Sequence, residues 1–324
     1  MVLIVIVLAL VILAGVRVRF RGCDADYISK DCCNSIKGVF IIIVFISHFQ
    51  QYVAQAGGHT CPLLLGQLMV TMFLFYSGFG VMEQIRARGE DYVRSMPRRR
   101  ILATLLNFDV AVLAFIIVDL IVGNSIGLRQ CLLSFVCWDS VGNSNWYIFA
   151  IILCYAIAYA VGLNGRTRKY EHWFVSAVCV LTMWILLQFK PGYWSNTLLC
   201  FPLGMIYSYF RKQIERTVQS NWIISVVVLM VLFVATYRMF ILHACVFALL
   251  VVVLSMKISI QWQWLTWCGA NLFPLYIYQR IPMIILFAVV PNALVGFWVV
   301  PCFILSACVT FLIAYHYRLW RISL

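Results

Sequence analysis

Residues 35–49 read SIKGVFIIIVFISHF: a lysine at 37, ten almost wholly apolar residues, and a histidine at 48. Apolar runs of this kind recur along the chain, separated by short basic or Gly/Pro/Asn-containing breaks. That is the pattern of serial membrane helices and not of one buried core. Of the 324 residues, 64% are hydrophobic and 11% are charged, against roughly 45–50% and 25% in soluble domains. No water-soluble fold could hide that surface. The expected fold class is therefore all-α, a polytopic integral membrane bundle.

Outward from a span at about 35–55, further spans are expected at 63–83, 101–122, 145–163, 173–189, 195–210, 221–236, 239–256, 264–286 and 294–315. Each approaches the ~20 residues that a bilayer requires. With the short run from Met1 to Val16 as a first helix, the count is about eleven. The charges bear on this count. If the spans alternate, segments 17–30, 84–100, 164–172, 211–220, 257–263 and 316–324 share one side, and they hold 19 of the 24 Lys and Arg. Retention of basic residues in the cytoplasm then sets the orientation: N-terminus outside, C-terminus cytoplasmic, in the cytoplasmic (inner or plasma) membrane.

The same rule accounts for the net charge of +13, so no nucleic-acid partner is expected. A secretory signal would carry its positive charge before the apolar run, whereas Arg17, Arg19 and Arg21 follow it. Residues 1–22 are accordingly read as a retained anchor helix, 30–318 as the main membrane domain and 319–324 as a cytoplasmic tail. The 13 cysteines show no Cys-x-x-Cys pair and no zinc-ligand spacing. No metal is expected, and a disulfide between Cys131 and Cys137 is an open possibility in an outer segment.

Lys37 and His48 are eleven residues apart. Eleven steps of ~100° return almost to the starting azimuth, so the two side chains share one helix face about 16 Å apart along the axis. Lys37 falls at the cytoplasmic leaflet, where snorkelling to headgroups is an alternative explanation, and His48 at membrane depth. An ionisable group there usually faces a polar interior, and a neutral imidazole can take the proton of an alcohol as a new bond forms. Asp109 and Asp119, ten residues apart in a later span, receive no role. His59, His172, His243 and His316 read as interfacial. A permeation path around one intramembrane ionisable residue, as in a transporter or glycan-precursor flippase, is the competing reading.

The next segments make the pattern specific. The Lys37/His48 spacing, FLFYSGF at 73–79 and RRRIL at 98–102 resemble the acyltransferase 3 family of membrane acyltransferases, as do NWYIFAIILCY at 145–155, LLCFPLGMIYSYFR at 198–211 and WCGANLFPLYIYQRIP at 267–282. The resemblance spans about residues 30–318, a ten-helix core with the first helix as an addition. The family usually has Arg where Lys37 stands, often Pro at Ala103, and commonly His near Gln279.

The resemblance implies transfer of an acyl group, most often acetyl from cytoplasmic acetyl-CoA, to a hydroxyl of a cell-surface polysaccharide or its lipid-linked precursor. On that reading His48 is the general base. Arg98, Arg99 and Arg100 bind the CoA phosphates through their guanidinium forks, with Lys37 adding a point charge. Tyr76, Ser77, Asn145 and Trp146 are candidate oxyanion or substrate contacts. Direct transfer and a covalent acyl-enzyme both remain open.

Overall fold

The structure, a computed structural model, describes residues 1–61, 66–165, 170–290 and 295–324. The starts of the spans expected at 63–83 and 294–315, and the basic residues Arg166, Arg168 and Lys169, lie wholly or partly outside the described residues. Helices dominate: α1 (Val2–Ala14), α2 (Lys30–Gln55), α3 (Gly66–Arg88), α4 (Glu90–Met96), α5 (Ala103–Val122), α6 (Leu128–Phe135), α7 (Trp146–Gly162), α8 (Glu171–Phe189), α9 (Cys200–Tyr209), α10 (Arg211–Ser220), α11 (Trp222–Ala235), α12 (Phe240–Ser255), α13 (Gln263–Ala270), α14 (Leu272–Tyr278), α15 (Arg280–Val289) and α16 (Val295–His316). The exception is a two-stranded ribbon, β1 (Val16–Val18) antiparallel to β2 (Ile258–Ile260), with Val16 opposite Ile260. It joins two segments expected on the same side of the membrane.

Every expected span contains helix, but among the described residues six helices are long and apolar enough to cross a bilayer, or seven with the α10–α11 pair, which bends by 103°. The difference from eleven lies in length. Helices α1, α7 and α12 are apolar but shorter than a full crossing. The run expected at 195–210 becomes α9, ten residues long, or about 15 Å of helix against a ~30 Å hydrocarbon core. It is preceded by turns whose polar Ser195 and Thr197 are buried. Non-helical backbone is tolerated at that depth when protein surrounds it. The run at 264–286 breaks at Asn271 into α13 and a span of 18 residues, Leu272–Val289, that contains α14 and α15.

Close helix approaches fix the centre. A β-carbon at Gly38 would lie 2.0 Å from the Leu265 carbonyl oxygen, and one at Gly269 would lie 1.8 Å from that of Asn34, so α2 and α13 touch backbone to backbone. Gly78 meets the Phe201 carbonyl and Gly204 that of Phe75 in the same way, at 1.9 and 2.0 Å, locking α3 to α9. Without a hydrophobic drive between helices in lipid, such small-residue contacts are the main source of specific packing. Helix α1 is largely exposed, as an all-apolar helix facing lipid would be. It is pinned by Ile4 against Phe45 and Phe49 and by the Trp262 indole, which donates to the Val11 carbonyl at 2.8 Å.

Candidate active site

Helix α2 starts at Ser29, whose hydroxyl accepts from the Cys32 amide. Lys37 and His48 open onto different cavities. Lys37 lines one of about 360 Å³, together with Arg99, Arg100 and Arg321. His48 lines another of about 480 Å³, together with Gln51, Asn143, Ser144, Trp146 and Arg280. Between them stand two buried tyrosines. Tyr147 lines the Lys37 cavity, Tyr276 meets the His48 ring edge-on at 6.4 Å, and the two phenol rings pack edge-to-face at 5.0 Å.

Local structure explains the cationic cavity. Pro97 has no N–H to continue the ladder of α4, and residues Pro97–Leu102 form a π-helical turn, with the Ala103 amide bonding back to the Arg98 carbonyl. Such widened turns recur at functional sites. This one brings Arg99 and Arg100 to the cavity wall, and Arg98 is not among the lining residues. The break between α13 and α14 supplies another wall, Gly269 to Pro274.

Residues after Leu319 do not extend away as a free tail. Asn107 donates to the Ile322 carbonyl at 2.9 Å and accepts from the Ile322 amide at 2.9 Å and the Tyr317 hydroxyl at 2.8 Å. These bonds fold the chain end across the cavity and deliver Arg321.

At the other cavity the segment between α6 and α7 folds inward. Ser144 is buried and its hydroxyl lies 3.4 Å from both ring nitrogens of His48. Asn145 holds this segment, its amide nitrogen donating to the carbonyls of Cys137 and Asp139 at 2.9 and 2.7 Å. With both amide hydrogens so engaged, Asn145 anchors the loop and is not available as an oxyanion donor. Lys190 clamps the same loop, bonding the Trp138 carbonyl at 2.6 Å with its ammonium over the Trp138 and Trp194 rings. Burial pulls its pKa below the ordinary lysine value, against an opposing pull from Asp139. Burial, aided by the charge of Asp109, pushes the Cys137 thiol up to about 12, and Cys131 and Cys137 are both free, with no disulfide between them.

The structure thus brings together Lys37, Arg99 and Arg100 at one cavity, and His48, Asn145 and Trp146 at the other. It does not bring Tyr76 and Ser77 to His48. Tyr76 packs with Tyr27, Cys33 and Tyr207 in a separate cluster, and Ser77 sits beside the Gly78 contact with α9. Ser144, Arg280, Arg321, Tyr147 and Tyr276 were not expected. Of these, only the polar run Asn143-Ser144-Asn145 ahead of the Trp-led helix offered a signal. Gln279, where the resemblance suggests histidine, is buried, donates to the Tyr276 carbonyl at 3.0 Å and faces a small apolar cavity beside Phe45 and Phe303. His172 and His243, near the starts of α8 and α12, are covered by protein. His172 stacks on Tyr209, and His243 stacks on Phe233 and bonds its carbonyl.

Helix α2 thus carries a cationic recess and an imidazole recess within one helical bundle. Residues 32–316 match a family model described as an acyltransferase domain. The chain belongs to the acyltransferase 3 family and is an acyltransferase of membrane-spanning helices, with an acyl donor, an acceptor and the lipid bilayer as its partners. No curated protein and no solved structure matches it.

Proposed function

We propose that the chain transfers an acyl group, most simply acetyl, from cytoplasmic acetyl-CoA to a hydroxyl of a cell-surface polysaccharide or its lipid-linked precursor. It would sit in the cytoplasmic membrane with its N-terminus outside and its C-terminus cytoplasmic, residues 1–22 being an anchor added to the family domain. The observation that carries this reading is the alignment of two cavities along α2, one cationic at Lys37 and one holding His48.

CoA is a polyanion at one end and a narrow thioester arm at the other. Arg99, Arg100 and Arg321 can meet its phosphates with forked N–H pairs, and Lys37 adds a charge without a fork. The arm then runs along the α2 face for about 16 Å, and reaching His48 requires Tyr147 and Tyr276 to part. In the second cavity the acceptor oxygen attacks the acyl carbon as its proton passes to a nitrogen of His48. The carbon–sulfur bond breaks, and the departing thiolate takes that proton from the imidazolium, leaving ester and free CoA thiol.

Ser144 lies beside the ring, with long contacts of 3.4 Å to both nitrogens. Of the four candidate contacts expected from the sequence, Trp146 alone lines this cavity with its N–H uncommitted among the described residues, and it is suited to the developing oxyanion. Acyl transfer is preferred to permeation because the family match is to an acyltransferase domain.

Membranes containing the chain should acylate a glycan from radiolabelled acetyl-CoA, and His48→Ala should abolish transfer at unchanged protein abundance. Equal transfer by the variant would refute the role of His48.

A further inference from the structure

Arg280 is the least expected side chain of the His48 cavity. Its Nε donates to the Tyr52 hydroxyl at 3.1 Å, and its guanidinium lies over the Tyr52 ring at 5.4 Å. Those contacts fix the group in place and use one of its five N–H donors. Among the described residues, none of the ion pairs involves Arg280. The buried carboxylate of Asp119 on the neighbouring α5 is bonded instead to the Asn124 amide, at 2.8 Å. A forked cation therefore lines the cavity without a direct ion pair among the described residues, the nearby Asp119 acting on it only at longer range across Tyr52.

A second group points to a ligand. Asn143 is 3% exposed and lines the same cavity, and its amide nitrogen has no hydrogen-bond partner. Its oxygen is engaged by Ser140 and the Val141 amide, so the unused donor is held in a fixed orientation. A buried donor left unpaired is costly; the nitrogen is covered by its surroundings, so a ligand oxygen accepts from it only once the cavity wall shifts. The aromatic rings of Trp146 and Tyr193, packed edge-to-face at 6.4 Å, form part of the wall. Amphipathic rings of this kind suit the C–H face of a pyranose.

We infer that the acceptor is an acidic glycan, whose anionic oxygens are gripped by Arg280, with Asn143 joining once the wall shifts, while a neighbouring hydroxyl is presented to His48. This rests on the acyl-transfer reading and names its substrate class. The anion is either a sugar carboxylate or the phosphate of a lipid-linked precursor. Both offer paired acceptor oxygens to a guanidinium fork.

The test supplies radiolabelled acetyl-CoA to the full chain in nanodiscs with three acceptors: a glucuronate-containing oligosaccharide, its carboxyl-reduced counterpart, and the reduced oligosaccharide on a polyprenyl pyrophosphate. At least one anionic acceptor should exceed the neutral one in kcat/KM by about tenfold or more, chiefly through KM, as charge-assisted bonds would give. Its identity separates carboxylate from phosphate. Arg280→Gln should bring that ratio to about one, and Arg280→Lys should retain part of it, which guards against loss through misfolding.

Equal kcat/KM on all three acceptors, or a preference that survives in Arg280→Gln, would overturn the inference while leaving acyl transfer intact. So would an Arg280→Gln variant that loses kcat equally on every acceptor at unchanged KM, since the arginine would then serve the reaction itself. No transfer to any acceptor would sink the acyl-transfer reading and this inference with it.

Discussion

Gly38→Ala isolates the backbone contact that sets the position of Lys37 and His48. The new methyl carbon would lie 2.0 Å from the Leu265 carbonyl oxygen, with the Leu265 carbonyl carbon at 2.7 Å. Ordinary contact begins near 3.4 Å, so α2 and α13 must part by about 1.4 Å or tilt. The obstacle is backbone, and no rotamer can relieve it. Overpacking of this kind costs about 1–3 kcal/mol, which should appear as a lowered thermal midpoint in detergent. A displacement near 1 Å at a reacting centre can cost about a hundredfold in rate. Acetyl transfer per molecule of folded protein should therefore fall by more than tenfold, although alanine touches neither cavity. A variant with wild-type midpoint and wild-type transfer would show that the α2–α13 contact does not position the site.

Single replacements of Arg99, Arg100 or Arg321 by Gln should each raise the donor concentration for half-maximal transfer by about tenfold, the value of a charge-assisted bond. Arg98→Gln, outside the cavity wall, should change it little; titration of acetyl-CoA separates the cases. Asn107→Ala removes the bonds that hold the chain end. It should destabilise by about 1–3 kcal/mol and make the C-terminal residues susceptible to carboxypeptidase in membranes. Asn145→Ala should release the 136–145 segment, read as faster proteolysis there, and reduce transfer more than Ser144→Ala, whose contacts at 3.4 Å are long.

Much of the candidate site could be read wherever one helix carried it. Lys37 and His48 share a face of α2 by arithmetic alone, and Arg99, Arg100 and Trp146 stood out because charge clusters and Trp-led spans are local features. What could not be read is tertiary. Arg321 reaches the cationic cavity only because Asn107, more than two hundred residues earlier, folds the chain end back. Arg280 and Tyr276 belong to a hydropathy run that looks continuous and in fact breaks at Asn271. Tyr76 and Ser77 misled for a related reason: a motif of aromatic and small residues reads alike whether it lines a site or packs two helices. Here the neighbouring Gly78 makes it the seam with α9.

An experimental structure with a non-hydrolysable acetyl-CoA analogue bears most directly on the account. The phosphates should lie within hydrogen-bond distance of Arg99, Arg100 or Arg321, with Tyr147 and Tyr276 moved apart and the acyl carbon beside the His48 ring. An analogue whose acyl end stops on the Lys37 side of an unbroken tyrosine pair, or whose phosphates rest elsewhere, would contradict it.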